Sequence, residues 1–125
     1  MDITPVANKG KQILTGYGAG QFRVGGEVYT TSIIIFPDRT IEWQMSPDKP
    51  ITLESLDMVV EEEGYIDLLL IGCTKPQLIL PAKIRNALKE AGIALDVMDI
   101  GAACRTYNVL ALEDRRVAAA IILTP

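Results

Sequence analysis

The sequence contains no histidine, and this absence excludes several common active sites. Ser-His-Asp and Cys-His catalysis need an imidazole as general base, and many metal sites need one as a ligand. The two cysteines, Cys73 and Cys104, form no CxxC pair. Two such thiols favour a reducing compartment over a disulfide-stabilised secreted domain. We therefore expect neither a metal site nor a cofactor, and the sequence leans away from an enzyme.

Long apolar runs and an excess of positive charge are also missing. The apolar runs fall well short of the roughly 18 residues of a membrane span. The first eleven residues, MDITPVANKGK, include no hydrophobic signal segment. The formal net charge of −4 argues against a broad nucleic-acid surface, because phosphate binding depends on Lys and Arg. We expect a cytoplasmic protein with no integral membrane segment and no nucleic-acid partner.

The N-terminal half of the chain predicts antiparallel strands. The 125 residues are 49% hydrophobic, which suits one globular domain over residues 1–125. Residues 1–20 are polar and glycine-rich, and we expect a flexible or loop-rich segment there. Residues 21–30 predict a hairpin that turns at two adjacent glycines, and the strands of residues 32–36 and 41–45 follow.

The C-terminal half alternates strand and helix patterns. Thr52 can cap a first helix, and Pro81 and Gly92 bound a second one between the apolar strands of residues 68–71 and 94–98. A third helix follows Asp99 and leads to a last apolar strand at residues 117–123. Two successive strand–helix units imply parallel strands. The predicted fold is therefore α/β, with N-terminal β-hairpins followed by β-α-β-α-β in a mixed sheet.

Polar residues follow two of the predicted parallel strands. Gly72, Cys73 and Thr74 follow one strand, and Asp99 follows the next. Ligands of open parallel sheets bind beyond the carboxyl ends of the strands, so these residues and Arg105 predict a crevice for a small anion or metabolite. Against this, the Asp99 carboxylate would itself occupy N–H groups at the helix start. A thiol nucleophile at Cys73 and acid–base catalysis by Asp99 with Glu113 or Asp114 are further alternatives. A packing role for Cys73 and a capping role for Asp99 are the simpler explanations.

The third predicted helix and its exit carry the densest polar motif in the chain. Its members are Arg105, Tyr107, Asn108, Glu113 and Arg116. One interpretation is structural: Arg105 pairs with Glu113, and Tyr107 packs under the sheet. The other is a surface around Asp99, Arg105, Tyr107, Asn108 and Arg116 that binds a partner protein. The residues alone leave both interpretations open.

The motif also carries a resemblance to a known family. The most specific stretch runs from Met98 and Asp99 through residues 105–110 to residues 116–120. In these residues the chain resembles a family of small domains of unknown biochemical activity. The family includes mitochondrial complex I assembly factor 3 and the adipogenesis-associated domain proteins. The chain departs from it where Gly72-Cys73-Thr74 replaces Gly-Thr-Gly and where Ile100 replaces Thr after Met-Asp.

The resemblance implies a fold and a role. The implied fold is a single three-layer α/β domain with a central mixed sheet. The implied role is that of a bacterial, non-enzymatic interaction protein, an assembly or scaffold factor for a respiratory NADH dehydrogenase. Its partner would be a subunit of that complex or another assembly factor, and a homodimer is an alternative use of the same surface.

Overall fold

Eight strands and three helices make up the part of the chain that the structure describes, residues 11–62, 64–76 and 80–124 of a computed structural model. The strands are β1 (Leu14–Gly18), β2 (Gln21–Val24), β3 (Glu27–Tyr29), β4 (Ser32–Ile35), β5 (Thr40–Trp43), β6 (Leu68–Gly72), β7 (Ala94–Met98) and β8 (Val117–Ile121). The helices are α1 (Asp57–Val60), which follows a 3-10 turn at Glu54–Leu56, α2 (Ala82–Glu90) and α3 (Ile100–Leu112). None of these helices is long and apolar enough to cross a membrane.

The central sheet has five strands in the order β5-β4-β8-β6-β7. β4 runs antiparallel to β5 and β8, whereas β6 runs parallel to β7 and β8. β8 lies between β4 and β6, and all five of its residues are buried because both faces of the sheet are covered, which explains why its sequence, VAAAI, is apolar throughout. The prediction of a mixed α/β sheet is confirmed.

The domain has three layers. Because side chains alternate along a strand, Ile34 faces α1 and α2, while Ile33 and Ile35 face α3. The first face also carries Trp43 of β5, and the second packs against the small antiparallel sheet β1-β2-β3 as well as α3. The implied three-layer arrangement is confirmed.

The expectation for residues 1–20 is wrong where the structure describes them. Leu14–Gly18 form β1, which pairs with β2, and Ile13 and Leu14 are buried. The sequence LTGYG lacks an apolar run because only alternate residues of this strand reach the core. The hairpin prediction is confirmed: β2 and β3 pair across a turn in which Gly25 has φ +58°. Residues 1–10 lie outside the described residues.

Candidate functional site

The two predicted strand-end junctions meet at one end of the central sheet, beyond the carboxyl ends of β6 and β7. β6 and β7 are parallel neighbours with Gly72 opposite Met98, and the Cys73 N–H donates to the Met98 carbonyl at 3.1 Å. The Asp99 carboxylate accepts from the Ala102 N–H at 2.8 Å and so caps α3. This cap already uses an N–H group that a bound anion would need.

Protein atoms fill the inside of this junction. A methyl group placed on Gly72 would lie 2.8 Å from the Ala103 Cβ and 3.3 Å from the Ile121 Cγ2. Glycine is therefore needed here so that α3 can approach the sheet closely. Cys73 is partly buried and packs against the core on the α2 side, while Thr74 is exposed at the rim. The predicted crevice residues do come together, but as a packed junction.

Tyr107 and Asn108 lie inside the protein and hold the N-terminal strand. The Tyr107 hydroxyl donates to the Gln12 carbonyl at 2.9 Å, and burial raises the pKa of this phenol, which keeps it a donor. The Asn108 side chain accepts from the Leu14 N–H at 2.9 Å and donates to the Leu14 carbonyl at 2.8 Å. Both residues are buried, 0% and 4% exposed, so the partner surface predicted from the sequence must be corrected to exclude them.

Arg105 lies on the exposed face of α3 and contacts β1. Its Nη1 donates to the Tyr17 hydroxyl at 3.4 Å. A methyl group on the nearby Gly101 would lie 2.7 Å from that hydroxyl, so the glycine leaves room for this contact. Glu113 follows eight residues later, about 12 Å along a helix axis. Arg105 thus meets Tyr17, not the Glu113 that the structural interpretation had suggested.

Glu113 and Arg116 lie at the opposite end of α3 from Asp99. Glu113 caps the helix C-terminus, and Asp114 turns the chain with φ +63°. The Arg116 guanidinium donates to the Gly64 carbonyl at 3.0 Å and to the Asp67 carboxylate at 3.3 Å. The nine predicted site residues are therefore spread over four places: one end of the sheet, the protein interior, the exposed face of α3 and the opposite end of the sheet.

A cleft opens at the opposite end of the sheet, at the amino ends of β6 and β8. It encloses about 610 Å³ between Lys11, the β4–β5 turn, the segment before β6 and the segment between α3 and β8. We call it the amino-edge cleft. Its charged and aromatic lining includes Lys11, Phe36, Arg39, Tyr65, Arg115 and Arg116.

Ion pairs hold the walls of the amino-edge cleft. Lys11 pairs with Asp114 and also donates to the Ala111 carbonyl at 2.7 Å, which ties the start of the described chain to the end of α3. Arg39 pairs with Glu62, and its guanidinium carbon lies 4.2 Å from the centre of the Phe36 ring. These contacts are internal to the cleft and fix its shape.

Two exposed side chains at the cleft, those of Tyr65 and Arg115, have no ion-pair or hydrogen-bond partner among the described residues. Tyr65 is 73% exposed, the largest exposure among the large hydrophobic side chains described. Arg115 is exposed, and its guanidinium has no ion-pair or hydrogen-bond partner among the described residues. Tyrosine and arginine are enriched at the energetic centres of protein interfaces. The described side chains form no cluster of three potential metal ligands, and the exposed pair suits binding.

A family model described as "Protein of unknown function (DUF498/DUF598)" matches residues 14–122 of the chain. The chain belongs to this family. The matched range begins at the first residue of β1 and runs through β8, so it covers both sheets, all three helices and most of the amino-edge cleft.

Two proteins from other organisms are similar to this DUF498/DUF598 domain over most of its length. The NADH dehydrogenase [ubiquinone] 1 alpha subcomplex assembly factor 3 of Danio rerio is 30% identical over 113 residues, which are 90% of this chain and 65% of that protein. The chain thus spans about two thirds of the length of that relative. An uncharacterised protein of Rhodobacter capsulatus is 33% identical over 112 residues, 90% of this chain and 85% of that one.

A solved structure shares the fold of the DUF498/DUF598 domain. It is described as an outer membrane protein from Bartonella henselae and is 38% identical in sequence. The two structures superpose with a TM-score of 0.84 over 93% of this chain and 98% of the other.

Sequence reasoning missed most of the amino-edge cleft of this DUF498/DUF598 protein. Lys11, Arg39, Tyr65 and Arg115 come from four separate segments. The rule for parallel sheets directed attention to the carboxyl ends of β6 and β7, whereas the antiparallel pairing of β4 with β8 brings turns together at the other edge. The one available signal was a pair of adjacent arginines, 115 and 116, directly before an apolar strand.

Proposed function

We propose that this DUF498/DUF598 protein is a non-enzymatic interaction protein that helps to assemble a respiratory NADH dehydrogenase. The observation that carries the proposal is the similarity to the Danio rerio assembly factor, which extends over 90% of this chain. Because the chain spans 65% of that relative, the proposed role is the one that this domain contributes. We further propose a cytoplasmic location, in line with the two unpaired thiols.

The amino-edge cleft is the surface that we propose for the partner. The Lys11–Asp114 and Arg39–Glu62 ion pairs connect its walls, which reduces the order that has to be gained on binding. Tyr65 offers an exposed ring, and the charge of Arg115 is not neutralised by a described residue. Arg116 stays in this surface, whereas Tyr107 and Asn108 of the sequence-based surface support it from inside.

Affinity capture from the native host under mild detergent tests the proposal. The tagged protein is compared with Tyr65→Ala/Arg115→Glu and with a control, Lys83→Glu, which reverses an exposed charge on α2. Mass spectrometry then quantifies NADH dehydrogenase subunits. We expect wild type and the control to enrich these subunits, and the double variant to lose at least about tenfold, as expected for a truncated interface centre.

The outcomes separate the role from the surface. Recovery of the protein without any subunit of the complex would refute the assembly role. Equal enrichment by all three proteins would leave the role standing and refute the cleft as its surface. Light scattering at several concentrations covers the dimer alternative: self-association that the double variant abolishes would assign the cleft to a second copy.

A further inference from the structure

β7 lies at one edge of the central sheet and exposes backbone groups that no described residue pairs with. The strand order places β6 on its inner side. The Ala94 N–H and the Met98 carbonyl bond to residues at the two ends of β6, at 2.9 and 3.1 Å. Because successive residues of a strand direct their backbone groups to opposite sides, Leu95 and Val97 direct theirs outward. Such an edge is a template for another strand.

A cavity lined by two cationic side chains, Arg85 and Lys89, lies directly beside this edge. It encloses about 350 Å³ between α2 and β7, and Leu95 and Ile93 are apolar parts of its lining. Arg85 and Lys89 line it from α2, where they are four residues apart and so lie on the same face. Arg85 donates to the Leu80 carbonyl at 2.9 Å, while the Lys89 ammonium has no partner among the described residues.

We propose that the β7 edge binds an extended, acidic segment of a partner protein as an added strand. Backbone groups of the segment would pair with those of Leu95 and Val97, which is the mode known as β-augmentation. Alternate side chains of the added strand would fall on the α2 face. Acidic side chains on that face would reach Arg85 and Lys89.

Charge selects a partner segment over a second copy of this chain. Asp96 is the exposed central residue of β7, so antiparallel pairing of two copies about the strand centre would place Asp96 opposite its own counterpart. The same pairing would bring together two sets of Arg85 and Lys89. An acidic segment avoids the second repulsion and complements the cations. None of these residues belongs to the amino-edge cleft, so this inference stands apart from the proposed function.

Binding of synthetic peptides, followed by amide NMR, tests the inference. The probes are short acetylated and amidated peptides in which valine alternates with glutamate, or with lysine. We expect the glutamate peptide to shift the amide signals of Leu95 and Val97 and to slow their hydrogen exchange. Lys89→Glu should weaken binding by about tenfold, whereas Lys83→Glu, on the same helix but not in the cavity lining, should leave it unchanged.

A proline variant separates backbone pairing from charge attraction. Val97→Pro removes an outward N–H without removing a bond to β6, and edge strands tolerate proline. We expect it to abolish peptide binding while the amides of β6 keep their exchange rates. If this variant does not fold, the comparison of Lys89→Glu with Lys83→Glu decides.

Four results of the peptide experiments would overturn the inference. They are no binding of the glutamate peptide at millimolar concentration, equal binding of the lysine peptide, signal changes that avoid β7, and normal binding by folded Val97→Pro. Concentration-dependent protection of Leu95 and Val97 without any peptide would assign the edge to a second copy instead.

Discussion

At the scale of single residues, Asn108 acts as a short strand partner for β1. Its amide makes both hydrogen bonds that a neighbouring strand would make to Leu14, at 2.9 and 2.8 Å. Asn108→Ala leaves the buried N–H and carbonyl of Leu14 without these partners, so we expect a loss of about 2–4 kcal/mol in the free energy of unfolding. Urea denaturation followed by circular dichroism measures this loss.

A matched variant controls for the helix propensity of alanine. Asn86 is exposed on α2, so Asn86→Ala makes the same chemical change without removing a buried hydrogen bond. A loss for Asn108→Ala no larger than that of Asn86→Ala would show that β1 does not depend on this side chain.

Gly72 is a second residue with a structural role: it has no side chain, and this lets α3 approach the sheet. Gly72→Ala places a methyl group 2.8 Å from the Ala103 Cβ, so we expect a loss of about 1–3 kcal/mol from overpacking. Gly26→Ala is the control, since its added methyl meets nothing within 4 Å and its φ is not positive. Thermal unfolding compares the two. Equal midpoints would mean that α3 shifts away from the sheet without cost.

At the scale of elements, most strands and helices were predicted from the sequence, and one strand, β1, was missed. The runs around β4, β6 and β8 are apolar and bounded by turn residues, so their local sequence is sufficient. β1 pairs with the adjacent β2, but its buried outer side depends on a residue far along the chain: Leu14 bonds to Asn108, 94 positions away. No local pattern contains that contact.

The surroundings of each strand predict its local stability. β8 is buried throughout between β4 and β6, whereas β3 is a short edge of the small sheet with two exposed residues among its three. We expect the amides of β8 to exchange with solvent only through global unfolding and those of β3 to exchange fastest among the strands. Hydrogen exchange followed by NMR measures both. Rapid exchange in β8 would show that the centre of the sheet opens locally.

At the scale of the whole molecule, the candidate site could not be predicted because the fold separates what the sequence groups. Asp99 and Arg116 are 17 positions apart, but α3 lies between them and carries the chain from the carboxyl end of β7 to the amino end of β8. Conversely, Lys11 and Asp114 are 103 positions apart and form an ion pair in the cleft. Sequence proximity indicated the helix correctly but not which of its residues share a surface.

The central sheet also joins two apolar cores, and this predicts how the molecule unfolds. Trp43 lies in the core that α1 and α2 cover, and Cys104 lies in the core under α3. Because β4, β6 and β8 contribute side chains to both cores, neither core can lose its sheet face alone. We expect one cooperative transition, with the same urea midpoint for both cores.

Two probes report the two cores separately in a Cys73→Ala background. Fluorescence of Trp43, the only tryptophan, follows the first core. Alkylation of Cys104 follows the second, because burial raises the pKa of this thiol to about 12 and keeps it unreactive until it is exposed. Coincident midpoints are expected. Alkylation at a lower urea concentration would mean that α3 and the small sheet detach first, from a central sheet that α1 and α2 still cover.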